Sequence, residues 1–318
     1  MSPSTSNYRT PIEPQSVEAP LSRSAVFLAV DIAATEGADE RVRDVIADIG
    51  GLVRAAGFRD LGARLSCIVG IGSDAWDRIG GGSRPSQLHP FQPVVGATHT
   101  AVATQTDLFF HIRAESDDFC FELERLILAK LGADVLVRDE TAGFRYFESR
   151  DLLGFVDGTE NPTGSALPGV ALIGEEDQAF SGGSYLVTQK YLHRLDAWNA
   201  LTTEQQQSIM GRTKADNVEL DAAAGPPSHK DLATITDADG TEHDILRDNM
   251  PFGRPGHAEF GTYFVGYAAD LSVIERMLTR MFVGVPEGQH DRLLDFSTPQ
   301  TGAVYFVPSR ELLESLGG

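Results

Sequence analysis

The chain has 318 residues, enough for one large domain or two ordinary ones, and with 42% of them hydrophobic it can build a real core. Its 26 Lys and Arg stand against 46 Asp and Glu, a formal net charge of -20 that repels phosphate backbones and anionic lipid and excludes nucleic acid and membrane surfaces as partners. Two cysteines, Cys67 and Cys120, are too few for a disulfide framework and form no CxxC metal site, and both fall in apolar runs that bury them as small hydrophobes. No run approaches the length of a membrane span, and "AVFLAV" is too short and wrongly flanked for a signal peptide, so the expected location is cytoplasmic.

Residues 1–22 are polar and proline-containing and are expected to form a disordered N-terminal lead. A first domain is expected over 23–150. "SAVFLAVD" reads as a strand, and "DERVRDVIADIGGLVRAAG" sets Val42, Val45, Ile46, Ile49, Leu52 and Val53 at helical spacing. "RLSCIVGI" and "TDLFFHIRAES" read as strands on either side of a Gly/Pro loop. The helix "SDDFCFELERLILAKLG" follows, with Ser116 at its N-cap and Gly132 just past its end, and "ADVLVRD" closes the set.

A second domain over 151–318 repeats the pattern. "GSYLVTQ" is a strand, Tyr191 to Met210 is helical in two pieces with a Thr202–Gln205 capping box, and "EHDILRDN" and "GTYFVGYAAD" are strands. Ser272 and Glu275 form a capping box for "SVIERMLTRMF", and "GAVYFVP" is the last strand. The order β-α-β-β-α-β in each half is the ferredoxin-like unit, so the fold class is α+β, two such units with antiparallel sheets. Between sheet and covering helices they leave a cavity for a large flat ligand, with "GFVDGTENPTG" at the junction of the halves.

In that stretch Asp157 precedes a glycine, which by itself is a turn signal. Of the histidines, His89, His99, His193, His257 and His290 read as solvated and His111 as a structural residue within a strand; His229 differs, because it follows a Pro-Pro pair between helix and strand. In "ILRDNMPFG", Arg247 and Asn249 are two apart on a strand and share a face, so both can present fixed donors to a peroxide or anion; the competing reading ties the arginine to Asp248 or another acid.

"GFVDGT", a histidine some seventy residues on, "RDN" eighteen after it, and the runs "ILRDNMPFG", "GTYFVGYA" and "DRLLDFSTPQTGAVYFVPS" resemble the dye-decolorising peroxidase family, B-type, from about Ser24 onward. The resemblance implies one haem b per chain, held in the C-terminal half with His229 as axial ligand to the iron. Asp157, Arg247 and Asn249 would then face bound peroxide. It also implies a carboxylate on the other N–H of the proximal histidine, for which Glu242 is the candidate and Asp244 its rival. Arg212 is a candidate partner for a haem propionate on charge complementarity alone. The implied activity is a haem peroxidase that uses hydrogen peroxide to oxidise phenolic compounds and dyes by one-electron steps through an oxoferryl intermediate. Trp76, Trp198, Tyr146, Tyr185, Tyr263, Tyr267 and Tyr305 are the inventory of electron relays. The resemblance implies a homo-oligomer as well. Some relatives load into encapsulin shells by a C-terminal extension; this sequence stops at "RELLESLGG", so such loading is not expected. Two readings compete: a haem carrier that also uses His229, and a haem-free binding module in which "IGGGSRPS" is a phosphate loop, although that loop has no lysine and no following helix.

Overall fold

The structure, a computed structural model, describes residues 12–221 and 225–317. Four strands of the first half, β1 (Ser24–Ile32), β2 (Ser66–Gly72), β3 (Leu108–Ala114) and β4 (Val135–Phe144), pair in the order β4-β1-β3-β2. The second half supplies β5 (Ser184–His193), β6 (Met250–Arg254), β7 (Glu259–Ala268) and β8 (Ala303–Val307), in the order β6-β7-β5-β8. These are two ferredoxin-like units with antiparallel sheets, as the alternation of periods predicts.

The two sheets join at both edges. Phe252 of β6 pairs with Gly143 of β4, and Tyr305 and Phe306 of β8 pair with Gly72 and Ile71 of β2, which closes an eight-stranded barrel with no free edge in this circuit. The first seam needs a glycine: a Cβ on Gly143 would stand 2.9 Å from Cε2 of Phe27. Strands β1, β2, β3, β5 and β8 have two buried faces, which is why they read as continuous apolar runs, whereas β4 leaves Leu136, Val137 and Phe144 exposed. Along β1, Val26, Leu28, Val30 and Ile32 join the cluster under the helices, while Ala25, Phe27 and Ala29 join the cluster inside the barrel. That interior is aromatic: Phe27 stacks on Tyr263 at 4.2 Å and Phe109 on Tyr305 at 5.3 Å.

Helices cover the outside. In the first half α1 (Ala38–Ala47) and α2 (Ile49–Gly57), expected as one helix, break at Asp48, and α3 (Asp117–Leu131) packs against α2. In the second half α4 (His229–Ala233) packs against α5 (Leu271–Phe282). The Thr202–Gln205 capping box is present. The Ser272–Glu275 box is not: Asp270 caps α5 by accepting from the Ser272 N–H at 2.9 Å, two residues earlier than the sequence pattern suggests. Tyr191 to His193 also belong to β5 rather than to a helix.

The expected lead divides. Residues 1–11 lie outside the described residues, whereas 12–22 are docked rather than disordered. Gln15 is buried, donates from Nε2 to the carbonyls of Val69 and Pro308 at 3.0 Å each, and accepts from the Val69 N–H at 2.8 Å. It thereby spans the β2–β8 seam past the two ladder pairs, satisfying groups that the parting strands leave open.

Inside the barrel, Arg113 of β3 bonds Asp248 Oδ2 through Nη1 at 2.6 Å, with both side chains 2% exposed. Removing one partner leaves an uncompensated buried charge, a loss of about 3–5 kcal/mol. Asp248→Ala is therefore expected to lower Tm by on the order of 10 °C; a calorimetric Tm within a degree or two of wild type would show that the pair carries no such load.

Candidate active site

Arg247 ends the two-residue strand Leu246–Arg247, which pairs with β7, and Met250 resumes the same register on β6. Alternation along this interrupted strand sends Leu246, Asp248 and Met250 into the barrel, and Arg247 and Asn249 to the outer face. Asp248 is thus occupied by Arg113, and Arg247 is free of the ion pair that was its competing explanation. Where the ladder is interrupted, Asn249 Oδ1 accepts from the Val265 N–H at 3.1 Å, and the side chain of Asn161 takes both backbone groups of Arg247, accepting from its N–H at 2.9 Å and donating to its carbonyl at 2.7 Å.

Asp157 reaches the same place from the junction of the halves. Its backbone N–H donates to the Ser149 carbonyl at 2.9 Å, and Gly158 behind it takes φ +76°, a left-handed conformation open to glycine. Asp157 Oδ1 accepts from the Gly158 N–H at 2.7 Å and from Asn249 Nδ2 at 3.3 Å. Enclosure by protein raises the Asp157 pKa above the usual carboxylate range; Asn249, the Gly158 amide, Arg247 and His229 each pull it back without cancelling the burial. Burial likewise lowers the Arg247 pKa, against the attraction of Asp157, Asp244 and Glu160.

His229 opens α4 from the helical side. Ser228 caps the helix in a capping box with Asp231, which fixes the direction of this short helix. His229 Nδ1 lies 2.6 Å from Oδ2 of Asp291, a carboxylate with no exposed surface. Burial pushes the imidazole down, and Asp291 more than offsets it, so the His229 pKa is raised. Asp291 is itself held, by its own N–H to the Met281 carbonyl at 2.7 Å and by the Leu293 N–H to its Oδ1 at 2.9 Å.

This corrects the expectation for Glu242. Glu242 is exposed on the small hairpin Ile235–Thr236/Glu242–His243, and Asp244 is exposed beyond it; the acid on the His229 ring is Asp291, 62 residues along the chain. Both Glu242 and Asp244 border the same cleft from its rim. Arg212 borders it too, with Nη1 2.7 Å from Glu160 Oε1 and Nε bonded to Asn217 at 3.0 Å, so a propionate there would share the guanidinium with Glu160. His193, expected in solvent, is buried between Thr262 and Ser297 and lines the cleft. Of the seven Trp and Tyr residues named as relays, only Tyr146 escapes full burial.

The cleft offers a cavity of about 220 Å³ to water-sized molecules and opens to solvent. Asp157, Arg247, Asn249 and His229 all line it; Leu153, Val156, Phe264, Ile274, Met277, Leu278 and Leu294 give it apolar walls. A large flat macrocycle suits such walls, and the donor set suits its metal: one imidazole whose Nδ1 is committed to a buried carboxylate keeps Nε2 for a metal, with no other protein ligand needed.

Comparison with known proteins gives this arrangement a family. The Dyp-type peroxidase C-terminal domain matches residues 148–312 and the N-terminal domain residues 14–145. A dye-decolorizing peroxidase of Mycobacterium tuberculosis is 51% identical over 306 residues, 95% of this chain and 90% of the relative. DyPB from Rhodococcus jostii RHA1 superposes with TM-score 0.93 at 55% identity, over 96% of this chain and 98% of that one. A variant of that protein solved in complex with heme matches at the same identity and TM-score, over 96% and 99%. The encapsulated DyP-type peroxidase from Mycobacterium smegmatis has TM-score 0.93 and 50% identity, over 96% and 99%. With both domains matched in order and about half the residues identical over nearly the whole length, the chain belongs to the Dyp-type peroxidase family.

Proposed function

We propose that the cleft holds one haem b per chain, that His229 would hold its iron through Nε2, and that Asp157, Arg247 and Asn249 would receive hydrogen peroxide. The protein is a haem peroxidase of the dye-decolorising type. The observation that carries the residue assignment is the pair His229–Asp291 at 2.6 Å, opening on a cleft that Asp157, Arg247 and Asn249 also line. Bound haem supplies a redox-active iron that accepts oxidising equivalents from peroxide and passes them to reductants one electron at a time.

The chain's own residues do the rest. Cleaving the peroxide bond moves a proton from the inner to the outer oxygen, and Asp157 is the group that can take and return it. Arg247 holds a fixed positive charge where negative charge develops on the departing oxygen. Asn249 touches both its own strand, through Val265, and Asp157, so it aims the carboxylate and lowers its pKa. Because Asp157 must be ionised to act as a base, the reaction with peroxide slows as pH falls through its raised pKa. Asn249→Ala removes a lowering influence, so stopped-flow pH profiles of the peroxide step are expected to show the acid limb displaced to higher pH, with an unmoved limb counting against Asp157 as the titrating group.

Asp291 makes the proximal imidazole more basic and fixes its ring. Asp291→Asn is expected to raise the midpoint potential of the iron and to reduce peroxidase activity by about 10–100-fold, the usual range for outer-shell partners; an unchanged potential in a spectroelectrochemical titration would separate Asp291 from the iron. Haem titration of the chain, followed in the Soret region, should end at one equivalent.

Phenols and dyes are the proposed reductants. With six of the seven candidate Trp and Tyr residues buried, bulky dyes would deliver electrons at the open rim of the cleft. Cytoplasmic location is part of the same proposal and is supported by Cys67 and Cys120, both buried and free. So is homo-oligomerisation, which light scattering of the purified protein tests.

A further inference from the structure

A second group of metal-type donors lies outside the cleft. His99 closes a tight turn between the two-residue strands Val94–Val95 and Thr100–Ala101, where the Gly96 N–H donates to the His99 carbonyl at 2.9 Å. His290 and Asp295 come from the other half, bracketing the short helical turn Arg292–Asp295 that starts beside Asp291. His99 Nε2 lies 2.8 Å from Asp295 Oδ1, and His290 Nε2 lies 3.0 Å from the same oxygen. The two rings stand edge to face, 73° apart with centroids at 4.8 Å, and all three donor atoms fall within 4.8 Å of one another.

We propose that His99, His290 and Asp295 bind one divalent cation of the zinc class, which ties the hairpin of the first half to the segment that carries Asp291 in the second. Three features support this. Two imidazoles and a carboxylate are the donor set of zinc, copper, nickel or cobalt, and not of the oxygen-seeking magnesium or calcium. Donor atoms around a tetrahedral zinc stand roughly 3.3 Å apart; the two nitrogen–oxygen spacings here are 2.8 and 3.0 Å and the third lies within 4.8 Å, so closing the triad on an ion needs side-chain shifts on the order of an ångström. The rings are 22% and 19% exposed and Asp295 is 44% exposed, which leaves a path for the ion and room for water to complete its coordination. The site does not depend on the haem assignment, since none of the three residues borders the cleft.

A cation there would act mechanically. His290 adjoins Asp291, and Leu293 and Leu294 of the same turn line the cleft, so a tether at His290 and Asp295 restrains the support of the proximal histidine from behind.

The test uses the full haem-loaded chain after dialysis against a chelator. Titration with Co²⁺ is expected to give visible ligand-field bands that saturate at one ion per chain and are displaced by Zn²⁺, and Zn²⁺ but not Mg²⁺ should raise Tm. His99→Ala should weaken Co²⁺ binding by about 100-fold or more, since even outer-shell changes cost about 10–100-fold, and should abolish the Zn²⁺-dependent rise in Tm. Its Soret band and peroxidase rate without added metal should match wild type. Asp295→Asn, which keeps the shape of the side chain, should weaken binding in the same direction and guards against a folding defect in the first variant. Absence of a saturable one-per-chain site overturns the proposal. So does binding that survives both substitutions, which would place the ion elsewhere, for example on Glu160 or Glu242 at the rim of the cleft.

Discussion

His229→Ala protein reconstituted with haem is expected to lose or displace the Soret band of wild type and to lose nearly all peroxidase activity. Among the described residues no second imidazole stands ready to replace it. His193 lines the cleft, but its two ring nitrogens are engaged by Thr262 at 2.9 Å and Ser297 at 2.8 Å, and burial pushes its pKa down to about 4. His243 is held at the rim by Asp237 at 2.7 Å. The loss should exceed the roughly 10–100-fold that follows from disturbing an outer-shell partner, because here the ligand itself is gone. Added imidazole, free to enter the vacated volume, should restore part of the band. Haem that binds the variant with an unchanged spectrum would remove His229 from the iron.

Arg247→Leu is expected to reduce kcat/KM for hydrogen peroxide by roughly 10²–10³-fold, the range seen when a preorganised donor to a developing negative charge is removed. Asp157→Asn should cost less, about tenfold, toward the low end for a positioned proton-transfer group or below it. The reason is electrostatic. Burial raises the Asp157 pKa and so favours its neutral form, which cannot act as a base, whereas the guanidinium of Arg247 keeps its charge. The backbone of Arg247 is fixed as well, since Asn161 holds both of its groups. Stopped-flow rates with peroxide decide the order, and a larger loss for Asp157→Asn than for Arg247→Leu would reverse the assignment of the dominant group. A second consequence concerns pH. The acidic surface repels anionic dyes less as carboxylates protonate, so dye oxidation gains in acid while the peroxide step loses. The turnover of an anthraquinone dye is then a compromise between the two limbs.

Much of this was legible in the sequence because period and polarity carry it. The short apolar run "SAVFLAVD" reads as a strand buried on both faces, and β1 is one, with Phe27 facing the barrel and Leu28 facing the helices. The pairing of β4 with β6 and of β2 with β8 is different, because an unpaired edge has no residue pattern that names its partner. Gln15 shows the same limit: a polar residue in a proline-containing lead gives no sign that it completes a seam 54 residues away.

The candidate site divides along the same line. Arg247 and Asn249 are two apart, so alternation alone puts them on one face. Asp157 and His229 stood out through the ordered motif set. Asp291 did not, although it opens the run "DRLLDFSTPQ": an acid before a short apolar turn looks like a cap, and it is one, since its Oδ1 accepts from the Leu293 N–H. Its other oxygen carries the role for which the resemblance made Glu242 the candidate. The resemblance points to an acid shortly after His229, whereas folding brings up one that is buried and held on both sides. Asn161, in the stretch "GTENPTG", reads as a turn residue and acts through two hydrogen bonds to Arg247 that only the folded chain discloses.

The most direct test of the central claim is a crystal structure of the haem-loaded chain. The account predicts iron bonded to Nε2 of His229, Asp291 still on Nδ1, and Asp157, Arg247 and Asn249 together on the opposite face of the porphyrin. Iron held by any other residue, or a porphyrin seated with Arg247 and Asn249 on the same face as His229, would contradict it.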